Sequence, residues 1–325
     1  MEQLLGLAAA NLLSPVVLFF VLGLGAALLR SDLEVPQAVA KAMALYLMLA
    51  IGLKGGAEVA AHGADLRLFA TLLIGVLLSF VIPFIAFAIL RSLGTLPRTD
   101  AAAVAAHYGS ISVVTFAVAV ERLEALGIAS EGYLVAVAAA METPAIAAGL
   151  WLARRGAVSD NPGGNGALLR EVALNGSIVM LVGAFVIGWI TGQAGLEAVA
   201  PFVVDPFKGV LCLFLLDMGL IAGRGLRGRQ SEMKLPLIAF GLYMPLISAG
   251  LGSLGAVLLG LSAGGAALLI TLAASASYIA VPAAMRLALP DARPGIYLTL
   301  SLGVTFPFNL SLGLPLYIAL GQWIG

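Results

Sequence analysis

The chain has 325 residues, 61% of them hydrophobic and 10% charged, with 17 Lys and Arg balancing 17 Asp and Glu and a mean hydropathy of +1.08. That composition excludes a soluble globular domain, and without clustered Lys and Arg there is no nucleic-acid patch. One cysteine, Cys212, excludes an intramolecular disulfide and any Cys-based metal cluster.

A helix needs about 20 mostly apolar residues to cross the hydrocarbon. Ten such stretches follow one another, at 12–29, 36–53, 68–90, 101–120, 132–153, 168–192, 203–222, 235–259, 264–285 and 295–321. Their apolar runs are continuous rather than alternating, which predicts an all-α integral membrane protein and not a β-barrel. No Lys or Arg precedes Arg30, so the first stretch is expected to be a retained span rather than a cleaved signal.

Charge placement gives an expected orientation. With the amino terminus outside, the cytoplasmic side holds Arg30, Lys41, Arg91, Arg98, Arg154, Arg155, Arg170, Arg224, Arg227, Arg229, Lys234, Arg286 and Arg293. Only Lys54, Arg67, Arg122 and Lys208 lie outside. The excess of basic residues inside predicts that both termini are external.

The chain also repeats itself. Ile51-Gly52-Leu53-Lys54-Gly55-Gly56 returns as Met218-Gly219-Leu220-Ile221-Ala222-Gly223, at an offset of 167. Ser110-Ile111-Ser112 returns as Ser275-Ala276-Ser277, each followed by an apolar run and then Arg122-Leu123 or Arg286-Leu287. Glu142-Thr143-Pro144 returns as Thr305-Phe306-Pro307, which pairs Glu142 with Thr305 and leaves Asn309 one turn further on. Five spans per half is an odd number, so the second half enters from the opposite side and the repeat is inverted. The expected division is a first repeat at 1–153, a cytoplasmic linker at 154–167 and a second repeat at 168–325.

The polar positions inside spans mark the expected site. His107-Tyr108-Gly109-Ser110-Ile111-Ser112 with Thr115 on span four, and Ser275-Ala276-Ser277-Tyr278 on span nine, combine glycine or hydroxyl residues with apolar surroundings. Such segments permit an unwound backbone. Two breaks near mid-membrane would offer half-helix N-termini to an anion and carbonyl or hydroxyl oxygens to a sodium ion. Taken singly, either motif reads first as close helix packing; the symmetric pair favours a site. Ser110, Ser112, Thr115, Ser275, Ser277 and Tyr278 are therefore expected to line the substrate site. Glu142, Thr143, Asn309 and Asp217 are expected to hold or support sodium, because an acid inside a span is costly unless it has a function. Lys54 is a partner for an acid or, more simply, a lysine snorkelling at a helix end. His107 reads as a packing residue.

No phosphate-binding loop is present, and His62 and His107 do not make a recognisable metal site. No enzyme activity and no cofactor beyond sodium as coupling ion is expected.

At these motifs the chain resembles the sodium-dependent bicarbonate transporter family of bacterial permeases. The resemblance rests on Ile51 to Gly56, Gly109 to Ser112 with Thr115, Met141 to Ala145, Leu211 to Gly219, Ala273 to Ile279 and Tyr297 to Tyr317. It implies ten spans in a five-plus-five inverted repeat with core and gate domains and broken helices four and nine. It further implies a trimer in the bacterial inner membrane, sodium-coupled symport of bicarbonate by alternating access, and a cytoplasmic regulatory partner of the signal-protein type. Two features depart from the family pattern: Tyr278 stands where cyanobacterial members carry an acid, and the linker is short. A carrier of a small organic anion with the same fold, and a passive anion channel, remain open alternatives.

Overall fold

A computed structural model describes residues 13–62, 66–154, 176–228, 233–278, 281–282, 284–285 and 289–325. No strand occurs among them. Eight helical segments are long and apolar enough to cross a membrane, and two shorter apolar helices, Pro15–Leu28 and Ala263–Ala274, fall at the first and ninth predicted stretches. The chain is thus an all-helical, multi-pass membrane protein.

In chain order the helices are α1 (Pro15–Leu28), α2 (Gln37–His62), α3 (Leu66–Ser92), α4 (Arg98–Gly109), α5 (Val113–Ala125), α6 (Leu134–Ala140), α7 (Glu142–Arg154), α8 (Gly176–Val203), α9 (Phe207–Gly228), α10 (Leu235–Leu259) and α11 (Ala263–Ala274). The last segment, 294–324, is helical throughout but uneven. It runs as α12 (Pro294–Leu298), a π-helical stretch Thr299–Thr305, one turn Phe306–Phe308, a second π stretch Asn309–Gly313, and α13 (Leu314–Ile324).

Each interruption has a local cause. Pro144 has no N–H for the carbonyl of Ala140 and its ring crowds that turn, so span five breaks at Met141. Ser79 on α3 donates to the Met141 carbonyl at this break. In the last segment Pro307 and Pro315 each remove a donor, and the ladder there shifts to the wider π register. Gly192 adopts φ 60°, ψ −156° and breaks α8, after which the helix resumes to Val203. This corrects the expected end of span six at residue 192: the glycine stops the first piece but the chain continues helical.

Two helix pairings dominate the packing. α2 lies against α8 and α1 against α9. Their contacts are backbone to backbone: a Cβ on Gly56 would stand 2.0 Å from Phe185 O, and one on Gly188 would stand 2.2 Å from Leu53 O. In the other pair a Cβ on Gly219 would stand 2.1 Å from Phe20 O, and one on Gly23 would stand 2.0 Å from Leu216 O. Only glycine allows helices this close, and dispersion between the backbones replaces side-chain packing. The repeated glycine motif is therefore a packing device. These four helices form one group. α3, α4, α7, α10, α11 and the last segment pack mainly among themselves as a second. Of the expected division, residues 155–175, and with them nearly all of the linker, lie outside the described residues, as do Arg155, Arg170, Arg229 and Arg286.

Candidate functional site

Span four is interrupted at Ser110-Ile111-Ser112, with Ser110 at φ −92°, ψ 162° and Ser112 at φ −103°, ψ 106°. Helix α11 ends at Ala274, and Ser275 is likewise extended at φ −83°, ψ 166°. Backbone groups freed by the two breaks in an apolar interior must find partners, and each break supplies them to the other. The Ser112 N–H donates to Ser275 Oγ at 2.9 Å, and the Ser277 N–H donates to the His107 carbonyl at 2.8 Å. The crossing is one hydrogen-bonded unit.

Ser112 caps α5. Its Oγ accepts from the Thr115 N–H at 3.1 Å and from Thr115 Oγ1 at 2.9 Å, so its own O–H remains to donate. The α5 amides of Val113 and Val114 lie ahead of any carbonyl of their own helix. Ser275 Oγ donates to Leu272 O, and Ser277 Oγ sits 3.5 Å from the Val281 N–H. The Tyr278 hydroxyl is buried, faces the Ser112 side chain and makes no hydrogen bond of ordinary geometry among the described residues. All six predicted substrate-site residues thus belong to this crossing. An anion placed at the start of α5 would meet amide donors, the Ser112 hydroxyl and the Tyr278 hydroxyl together.

The C-terminal ends of α4 and α11 carry the other polarity, carbonyl oxygens without helical partners. Here the halves differ chemically. The Ser110 hydroxyl donates to Glu142 Oε2 at 2.8 Å. In the second half Asn309 Nδ2 donates to Ala274 O at 2.9 Å, and Asn309 Oδ1 accepts from the Tyr317 hydroxyl at 2.7 Å. Glu142 is 4% exposed and makes no ion pair with any described Lys or Arg. Its carboxylate is an oxygen ligand suited to a hard monovalent cation.

Asn309, one turn past Thr305, reaches the Ala274 carbonyl at the end of α11, while Glu142 reaches the Ser110 hydroxyl at the end of α4. Thr305 is structural, because its hydroxyl donates to Gly241 O at 2.7 Å and accepts from Tyr108 at 2.6 Å, joining three spans. Thr143 is half-buried and makes no hydrogen bond among the described residues. Asp217 is 5% exposed within α9, and no hydrogen bond or ion pair links it to the crossing. His107 has the packing role its sequence context predicts, with Nδ1 2.6 Å from Ala103 O and its ring stacked on Tyr297 at 4.4 Å. Ser79, Tyr108 and Tyr317 support the site and carry no sequence signal beyond a hydroxyl in an apolar span.

A cavity of about 540 Å³ lies close to the crossing, although none of the six predicted substrate-site residues lines it. It lies between α2, α8 and α9 on one side and α5 with the start of α6 on the other. Phe116, one turn past Ser112, forms part of its lining.

The family model of the Na+-dependent bicarbonate transporter superfamily matches residues 15–322, which takes in both breaks, Glu142 and Asn309. The chain belongs to the Na+-dependent bicarbonate transporter superfamily. No curated protein matches it closely enough to narrow that assignment. As a member of this superfamily it is a transporter, and the family's description names sodium and bicarbonate.

Proposed function

We propose that this protein is a sodium-coupled symporter of a small anion, bicarbonate first, working by alternating access. The observation that carries the reading is the crossing: two symmetry-related breaks, locked by reciprocal hydrogen bonds, with amide donors on one side and carbonyl oxygens plus Glu142 on the other. The anion binds at Ser110, Ser112, Thr115, Ser275, Ser277 and Tyr278. Sodium binds at the carbonyl ends, with Glu142 and Asn309 as oxygen donors and Thr143 and Asp217 as more distant supports. Binding the anion beside the Glu142 carboxylate in this apolar interior is costly unless sodium offsets the negative charge, and that is the physical basis of coupling.

Ten spans in a five-plus-five inverted repeat account for the pairing of α2 with α8 and of α1 with α9, since inversion maps one pair onto the other. The α1, α2, α8 and α9 group then serves as the gate and the second group as the moving core. Both termini lie outside the bacterial inner membrane, and the functional particle is a trimer open to a cytoplasmic regulatory partner.

Uptake of labelled bicarbonate into proteoliposomes, with and without an inward sodium gradient, tests the proposal. Gradient-dependent uptake is expected; equal uptake in both conditions removes the coupling. Tyr278 favours one second reading, a small organic anion, because a phenol at the site replaces a charge with an apolar ring. Competition by unlabelled organic acids separates the two.

A further inference from the structure

We propose that Lys54 is an entry site for the anion on its way to the crossing, with Glu124 as the internal ligand that the anion must displace. This inference rests on the anion-transport reading above. The cavity that leads to Phe116 is lined by five charged side chains, Glu58, Glu124, Glu131, Glu197 and Lys54. Lys54 is the only cation among these lining residues. An anion entering a passage with this charge balance is repelled everywhere except beside that ammonium.

The surroundings of Lys54 fit transient occupation. Its Nζ is 3.4 Å from Glu124 Oε1, and the two side chains are 25% and 52% exposed. A long, partly solvated pair of this kind holds weakly. The ammonium also lies 5.3 Å from the centre of the Phe207 ring, which keeps it in position when Glu124 leaves. Two of the other acids are held elsewhere: Glu131 accepts from the Ser262 N–H and hydroxyl at the start of α11, and Glu197 accepts from Gln193.

A second ion pair gives the natural control. Lys208 on α9 and Glu121 on α5 are 2.9 Å apart, with Glu121 only 11% exposed. This pair likewise joins α5 to the group of α1, α2, α8 and α9, one turn away along α5, but neither residue lines the cavity. If both pairs were merely latches between α5 and the opposite group, their removal would act alike. If Lys54 receives the anion, only the pair inside the cavity affects anion concentration dependence.

The experiment is labelled bicarbonate uptake into proteoliposomes at saturating sodium and low ionic strength, with anion concentration varied. Lys54→Gln is expected to raise the half-saturating concentration about tenfold with little change in maximal rate, and Glu124→Gln to lower it several-fold, both effects fading as salt is raised. Lys54→Arg keeps the charge and is expected to stay near wild type, which separates electrostatics from misfolding. Glu121→Gln is expected to leave half-saturation unchanged. An unchanged half-saturation in Lys54→Gln, or equal shifts in Glu124→Gln and Glu121→Gln, overturns the entry site while leaving the transport function standing. Absence of uptake by the wild-type protein, for bicarbonate and for a panel of labelled small organic anions, overturns both.

Discussion

Replacing Ser112 by alanine tests the crossing directly. Ser112 Oγ accepts from both the amide and the hydroxyl of Thr115, and all of these atoms are buried. Loss of an N-cap acceptor costs about 1 kcal/mol, and an orphaned buried hydroxyl costs about 1–3 kcal/mol more. Ser112→Ala is therefore expected to lose about 2–4 kcal/mol of stability. Thr115→Val removes the hydroxyl but keeps the cap, at a cost of about 1 kcal/mol. In the double variant only the Thr115 amide is left unpaired, so its loss should fall short of the sum of the singles by on the order of 1–2 kcal/mol. Thermal unfolding in detergent of wild type, both singles and the double gives the cycle, and sodium-driven uptake on the same samples gives the functional cost. Strictly additive losses, or a Ser112→Ala protein as stable as wild type, would refute the assigned hydrogen bonds.

Further outcomes follow from other contacts. Glu142→Gln keeps a hydrogen-bonding group for Ser110 but removes the charge, and is expected to raise the sodium concentration for half-maximal uptake by about tenfold or more, read from uptake against sodium. Gly219→Ala would place a methyl group 2.1 Å from Phe20 O and is expected to reduce the yield of folded protein sharply. Gly25→Ala, which meets nothing within 4 Å, is expected to melt at or slightly above the wild-type temperature. Asp100 accepts from the Arg293 amide at 2.8 Å and pairs with its guanidinium at 2.7 Å. Asp100→Ala is expected to lower stability by about 2 kcal/mol, measured by the same unfolding assay, with half-saturation for the anion unchanged.

What could be read from the sequence was the set of rare residues in an apolar background. Ser110, Ser112, Ser275 and Ser277 stood out because hydroxyls two residues apart recur at one offset, and the structure brings those segments together. Glu142 stood out because a carboxylate in a span needs a reason. Other features depend on geometry that residue identity does not encode. The contact of Asn309 with the Ala274 carbonyl is not encoded in a fixed offset, which pairs Glu142 with Thr305 and leaves Asn309 one turn further on. The glycine repeat was visible, but its use for helix pairing shows only when the approach of Gly56 to Phe185 and of Gly219 to Phe20 is seen. The expected end of span six at 192 falls short because the helix resumes after the break at Gly192 and runs to Val203. Tyr108, Ser79 and Tyr317 were missed because their value lies in carbonyls and hydroxyls exposed by breaks elsewhere in the chain.

The reciprocal bonding of the two breaks also bears on how the protein is made. The Ser112 amide finds its acceptor 163 residues further along the chain. The Ser112 amide and the His107 carbonyl lack these partners until the segment carrying Ser275 and Ser277 is in place. The break at Ser110 to Ser112 is therefore unfinished on its own, and the segment that follows α11 completes it.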